Sequence, residues 1–309
     1  MSDYSIPNNL TRLDRFLRRL YPGLTQGALE KLLRSKKILV DGNPAKSSTR
    51  VDSEEQVSIL VDLALYTTHA SAPPKREIDV TEKDLKWIES IIIWEDDQII
   101  ALNKPQGIAV QGGTGTKRHI DAIMKAYNPE ARLVHRIDKD TSGVLVMAKT
   151  IPMAQYLSDL FANHGVQKTY RAIVEGSVRP AQGTINLPIG KEMVGNKEKV
   201  VVNGPHARPA ETQYMLRKKL GNSFAVVDCW PRSGRTHQIR VHLSASGWPI
   251  VGDYKYGATE KGLSLHLHAY QISFPLPDSG KMVITAPLSE HMRATMQEFG
   301  ADPDKLEHS

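Results

Sequence analysis

Leu133-Val134-His135-Arg136-Ile137-Asp138-Lys139-Asp140-Thr141-Ser142-Gly143 crowds an imidazole, a guanidinium and two carboxylates between apolar flanks. Val144-Leu145-Val146-Met147-Ala148 follows without a break, and an unbroken apolar run of that length reads as a strand buried on both faces. The charged residues therefore occupy a turn that feeds a core strand. Charge beside apolar surface is costly unless it is paired. Asp140, Thr141 and Ser142 suit a hydrogen-bonded corner that satisfies its own backbone. His135, Arg136 and Asp138 are left without a structural reason, so the spacing points to a functional site, with an ion-paired corner as the alternative.

Upstream, Ile120 to Tyr127 reads as a short amphipathic helix. Ile91-Ile92-Ile93-Trp94 and Ile99-Ile100-Ala101-Leu102 flank Glu95-Asp96-Asp97, which predicts a hairpin. Gly112 to Lys117 is glycine-rich, but Thr116 separates Gly115 from Lys117, so the Gly-Lys-Ser/Thr order of a phosphate-binding loop is missing. Downstream, Thr150 to His164 predicts a helix, and Lys168 to Val174 a strand. Gly183 to Pro209 reads as a polar, loop-rich, basic segment. Strand patterning resumes at Ala210 to Tyr214 and at Phe224 to Cys229. Arg232 to His242 is a second dense polar cluster, and it opens a helix running to Ala245. Leu265 to Tyr270 alternates again. His266 and His268 have a spacing that a metal could use, yet no acids or thiols stand near them, so satisfied strand histidines are expected.

The N-terminal part has a different texture. Thr11 and Asp14 suggest a capping box for a helix carrying Leu13, Phe16, Leu17 and Leu20; Thr25 caps a second helix carrying Ala28, Leu29, Leu32 and Leu33. Ile38 to Val40, a turn at Asp41-Gly42 and a strand at Val57 to Val61 complete a compact module. Its cations, among them Arg18, Arg34 and Lys37, outnumber its acids. A solvated helix face is one reading, and a row of phosphate contacts is the other. Tyr66 to Asp84, with Pro73-Pro74-Lys75-Arg76, reads as a linker. The expected organisation is a small domain over 1–66, a linker over 67–90, a larger domain over 91–295 and a polar tail over 296–309.

In bulk the chain of 309 residues is ordinary for a globular protein, with 40% hydrophobic and 24% charged residues. A net charge of +6 favours a polyanionic partner. The single cysteine, Cys229, excludes an internal disulfide and a cysteine-based zinc site, and points to a reducing compartment. Neither a signal or transit peptide nor a membrane span is visible, so a cytoplasmic location is expected.

Two resemblances follow from these residues. Arg12-Leu13-Asp14 through Val40-Asp41-Gly42 to Val57 is similar to the S4 domain, an RNA-binding module that reads structured RNA through shape and phosphates. His135-Arg136-Ile137-Asp138 with Thr141-Ser142-Gly143 resembles the signature of the RluA family of pseudouridine synthases, in its RluC/RluD-like branch. So do Lys168-x-Tyr170, Ala210-x-Thr212, Gly234-Arg235-Thr236-His237-Gln238-Ile239-Arg240-Val241-His242 and Gly252-Asp253-x-x-Tyr256-Gly257, in the same order. Ile137 stands where Leu is usual, a volume-conserving change.

The resemblance implies an α+β catalytic fold on a mixed, mainly antiparallel sheet, acting on ribosomal RNA of the large subunit. In the implied reaction the N1–C1′ bond of a uridine breaks, the uracil turns over and C5 joins C1′, with neither cofactor nor metal. It implies Asp138 as the catalytic carboxylate, attacking C1′ or taking the 2′ proton, with Arg240 as its ion-pair partner. Tyr170 would lie against the uracil and help with the C5 proton. His135 and Arg136 would contact RNA, Arg136 holding the flipped nucleotide out of its stack. Ile239 and Leu267 would form the apolar wall. A monomer is expected, bound to no membrane. Two other readings stay open: a base glycosylase, which would want a second catalytic acid that Asp140 supplies poorly, and a non-catalytic RNA-binding assembly factor.

Overall fold

The computed structural model describes residues 2–3, 11–52, 56–67, 79–112, 118–195, 197–257, 262–278 and 280–307. The chain divides into two compact units, Met1–Glu77 and Ile78–Ser309.

The first unit comprises β1 (Ser2–Asp3), β2 (Thr11–Arg12), α1 (Leu13–Leu20), α2 (Gln26–Arg34), β3 (Ile38–Val40), β4 (Asn43–Pro44), β5 (Arg50–Val51) and β6 (Val57–Ile59). Four strands form a sheet in the order β1-β6-β3-β4, and β2 pairs with β5. Asp41 and Gly42 both have positive φ, at +49° and +73°, which lets two residues close the β3–β4 turn. Leu13, Phe16, Leu17, Leu29, Leu32 and Leu33 pack on Ile38, Val51 and Val57. Thr25 caps α2 by accepting from Ala28 N–H. The expected Thr11–Asp14 capping box is absent. Thr11 and Arg12 are instead held as a strand against Arg50–Val51, so Arg12 becomes the N-cap and its guanidinium takes the Asp14 carboxylate, with bonds of 3.1 and 2.7 Å.

The second unit begins with α3 (Glu82–Ser90), which lies inside the stretch expected to be a linker over 67–90. Thr81 and Asp84 form a reciprocal capping box, Ile88 is fully buried, and Arg118 bonds Asp84 and covers the Trp87 ring. The proline-containing run just before it masks the start signal Thr81-x-x-Asp84 in the sequence; residues 68–78 of that linker lie outside the described ones.

There follow β7 (Ile92–Glu95), β8 (Ile99–Lys104), α4 (Ile120–Tyr127), β9 (Arg132–Leu133), β10 (Ser142–Ala148), α5 (Ile151–Ala162), β11 (Gln167–Glu175), β12 (Gln182–Asn186), β13 (Ile189–Val194), β14 (Lys197–Val202), β15 (Glu211–Leu220), β16 (Phe224–Pro231), α6 (Gln238–Ala245), β17 (Leu267–Pro275), β18 (Lys281–Thr285), α7 (Glu290–Glu298) and α8 (Pro303–Glu307). The main sheet runs β12-β15-β16-β11-β17-β10-β8-β7, with β18 added to β17 and β9 to β10. The β10–β17 pair is parallel and the other ladders of this sheet are antiparallel. Both faces of the centre are covered. Leu145 and Met147 of β10 face one core cluster while Val144, Val146 and Ala148 face another, as the unbroken apolar run requires.

Two stretches differ from expectation. Gly183 to Pro209, expected to be loop-rich, holds β12 and the β13–β14 hairpin, because Ile189 and Val200 pack on Ala210 and Val241 while Lys191 stays exposed. The tail expected to be polar over 296–309 is docked: Met296 and Ala301 are buried, and the Leu306 carbonyl accepts from Arg171 Nη1 at 3.0 Å. The glycine-rich loop falls mostly outside the described residues, at 113–117. Among the described residues no helix is long and apolar enough to cross a membrane.

Candidate active site

The acidic loop between β9 and β10 is held from three sides. Thr141 N–H closes a turn on the Asp138 carbonyl at 3.2 Å. Gly143, at φ +109°, lies so close to β17 that a Cβ there would come within 2.2 Å of the Ala269 carbonyl oxygen. Beneath the loop, Lys104 has no exposed surface, and its Nζ donates to the carbonyls of Pro105, Ile108 and Lys139 at 2.8, 3.1 and 3.2 Å. Burial pulls this ammonium down to about 7, while Asp140 and Asp138 draw it up. Three carbonyl acceptors call for all three ammonium protons.

Asp138 opens onto a cavity of about 290 Å³. Tyr170 enters it from β11, Leu267 from β17, and Ile239 and Arg240 from α6. Ile239 and Leu267 are buried in its wall, 6% and 3% exposed. Burial and then the Asp138 charge raise the Tyr170 hydroxyl far above its ordinary range, so it is a phenol. Lys168, its ammonium lowered by burial, lines the same space. Arg136 is exposed at the boundary between this cavity and a second hollow of about 240 Å³ beside Gly112. His135 forms wall: its Nε2 accepts from Val146 N–H at 2.9 Å and its ring stacks on Phe161 at 4.6 Å. Burial pushes its pKa down to about 3, so the ring is neutral.

Arg240 is not paired with Asp138, contrary to expectation. It makes a bidentate bond to Asp253, Nε to Oδ2 at 2.8 Å and Nη2 to Oδ1 at 2.6 Å, and its Nη1 lies 3.9 Å from Asp140 Oδ2. That Nη1 is buried without a hydrogen-bond partner, and Arg240 lines the cavity. Asp253 won the arginine because it is fully buried and fixed next door, its Oδ1 also accepting from Lys255 and Tyr256 N–H. The basic nitrogen within 4.0 Å of Asp138, among the described residues, is His237 Nε2.

The second polar cluster is therefore largely a frame. Gln238 takes Ser233 Oγ–H and Arg235 N–H on its carbonyl oxygen and donates to the Glu211 carbonyl and Thr212 Oγ1. His242 joins Thr212 Oγ1 to the Leu187 carbonyl, and His266 and His268 have both ring nitrogens occupied. Sequence reasoning misses Lys104, His237, Asp253 and Tyr256 as parts of the site. Asp253 and Tyr256 do carry a signal, standing in one motif with Gly252. Lys104 carries none beyond following an apolar strand. In the other unit, Arg18, Arg34 and Lys37 are exposed, and Arg18 donates to Gln26.

Residues 98–245 match the family described as RNA pseudouridylate synthase, and residues 11–57 match the S4 domain. The chain is 38% identical over 250 residues, 80% of its length and 83% of the relative's, to Ribosomal large subunit pseudouridine synthase C of Rickettsia bellii (strain RML369-C). It is 33% identical over 304 residues, 93% of its length and 92% of the relative's, to the protein of the same name from Escherichia coli (strain K12). The solved structure of Human RNA Pseudouridylate Synthase Domain Containing 4 superposes with a TM-score of 0.60 at 27% identity, covering 70% of this chain and 95% of that one. A carboxylate, a buried phenol and a fixed guanidinium around one cavity, in a chain matched over most of its length by such relatives, make this protein a member of the RNA pseudouridylate synthase family, with an S4 domain at its N-terminal side.

Proposed function

We propose that this chain converts uridine to pseudouridine in large-subunit ribosomal RNA, with Asp138 as the catalytic carboxylate. The observation that carries this reading is the convergence of Asp138, Tyr170, Ile239, Arg240 and Leu267, from the β9–β10 loop, strands β11 and β17 and helix α6, on one cavity. The substrate class comes from the two large-subunit synthases to which the chain is similar over most of its length.

The reaction is an isomerisation. The N1–C1′ bond breaks, the uracil turns in the cavity, a C5–C1′ bond forms, and the C5 proton is lost while N1 gains one. Asp138, with its side chain 31% exposed, faces the sugar and acts by attack on C1′ or by removing the C2′ proton. Tyr170, kept as a phenol, packs against the uracil, and Ile239 and Leu267 exclude water from the detached base. Arg136 fills the place of the extruded nucleotide, offsetting an unstacking cost of a few kcal/mol. Arg240, held by Asp253, keeps a fixed positive charge in the cavity wall, its Nη1 3.9 Å from Asp140. The protein works as a monomer in the cytoplasm, where its ribosomal substrate is.

Asp138→Asn tests the assignment. Pseudouridine formation on a ribosomal RNA fragment is expected to stop while RNA affinity stays within about threefold. Release of free uracil by the native protein would make it a glycosylase. Full activity of Asp138→Asn would make the carboxylate structural. Mapping pseudouridine in ribosomal RNA from cells with and without the gene identifies the position modified.

A further inference from the structure

His237 is the N-cap of α6 and sits at φ +56°, left-handed backbone that few residues other than glycine adopt. That conformation turns its ring into the cavity, between Asp138 and Tyr256. Its Nδ1 is 2.7 Å from the Tyr256 hydroxyl and its Nε2 is 4.0 Å from Asp138 Oδ2. Tyr256 is itself fixed. It lies in the turn whose backbone N–H groups bond Asp253, and the Arg240 guanidinium packs 5.3 Å from its ring centre. Its hydroxyl proton has Nδ1, 2.7 Å away, as acceptor. Burial keeps the phenol protonated, its pKa pushed up to about 12, and burial with the Arg240 charge keeps the imidazole pKa below its ordinary value. A neutral imidazole that accepts at Nδ1 carries its proton on Nε2.

We propose that Tyr256 locks His237 in the Nε2–H tautomer, so that His237 is the positioning residue that aims the Asp138 carboxylate. The inference rests on the reading of Asp138 as the catalytic group. It fills a role that Arg240 does not fill as it stands, since two of its nitrogens bond Asp253 and the third lies nearest Asp140, 3.9 Å away, rather than Asp138. A neutral N–H donor orients a carboxylate without pairing it to a full counter-charge, which leaves it a competent nucleophile or base. The 4.0 Å gap closes to a hydrogen bond when RNA enters, as catalytic bonds commonly do. No proton changes hands through His237; it acts only through Asp138.

The test is a double-mutant cycle, read as tritium release from RNA carrying [5-³H]uridine under single-turnover conditions, with RNA affinity measured separately. Tyr256→Phe keeps the ring and its packing and removes the lock; its rate is expected to fall about tenfold at unchanged affinity. His237→Gln places an amide N–H near the Nε2 position with no tautomer to choose, and it is expected to keep at least a third of the native rate. In the His237→Gln background, Tyr256→Phe is then expected to cost less than twofold. Ring ¹⁵N shifts of the full-length protein should show His237 protonated at Nε2, and a tautomer mixture in Tyr256→Phe. Equal losses from Tyr256→Phe in both backgrounds, an unchanged rate, or a native Nδ1–H signal would overturn the proposal. Activity of Asp138→Asn in the same assay would instead sink the underlying assignment, so the two failures are separable.

Discussion

Gly143 shows how a single residue ties the acidic loop to the sheet. Its φ of +109° is one problem for a side chain, and backbone atoms of Ala269 at 2.2 to 2.7 Å from a Cβ are a second that no rotamer relieves. Gly143→Ala is expected to destabilise the protein by about 3 kcal/mol or more, because β10 and β17 must separate. Gly107 is the contrast: φ +83° with open space around it, so Gly107→Ala costs about 1–2 kcal/mol of left-handed strain alone. Urea midpoints of the two variants check the difference, and equal losses would refute the steric account. At this scale the sequence is partly legible. Asp138 stands out because a hydrogen-bonded corner accounts for Asp140, Thr141 and Ser142 but not for it, which leaves a functional site or an ion-paired corner. Arg240's partner does not, because a bidentate pair is a fact of three-dimensional neighbourhood, and the motif that marks Asp253 does not say which cation it meets until the fold brings it to α6.

Among elements, legibility follows burial symmetry. β10 and β8 are buried on both faces and read as continuous apolar runs; α2 announces itself through Thr25 and its leucines. The β13–β14 hairpin, α3 and α8 bury only a few side chains each, so their polar faces dominate the composition and hide them. The S4 unit offers the sharpest prediction at this scale. Arg18, at the end of α1, Arg34, at the end of α2, and Lys37 just beyond it are exposed and follow the two helix ends. If they meet phosphates, each such pairing releases counterions, and the slope of log affinity against log salt falls by roughly one unit for every phosphate that is no longer neutralised. Charge reversal at all three is therefore expected to weaken RNA binding most at low salt and to flatten its salt dependence. Titration of a ribosomal RNA fragment between low and moderate salt measures both, and parallel lines for variant and native protein would remove these residues from the interface.

For the whole molecule, two buried histidines make stability depend on pH in a definite direction. His268 has no exposed surface; its Nδ1 meets Ser142 Oγ at 2.8 Å and its Nε2 the Ala286 carbonyl at 3.3 Å. A carbonyl only accepts, so Nε2 carries the proton and Nδ1 accepts from the serine. His266 is held likewise between the Ser264 carbonyl and Thr295 Oγ1. Burial is the largest force on both, with His291 adding a lowering charge to each and Arg171 and Lys104 adding theirs to His268, and it brings each pKa down to about 4. The unfolded chain takes up a proton at each near the ordinary value of about 6.5. Between those limits the unfolded state binds more protons than the native one, so stability is complete above about pH 6.5 and is lost as the pH falls toward 4. Each group contributes up to about 1.4 kcal/mol per pH unit across that window. Gln at position 268 can accept from Ser142 and donate to Ala286 without titrating. His268→Gln is therefore expected to remove one group's share of the slope when urea stability is measured from about pH 7.5 to about 4.5. An unchanged slope would mean that His268 is protonated alike in both states, and the neutral strand histidine that joins Ser142 to β17 would have to be abandoned.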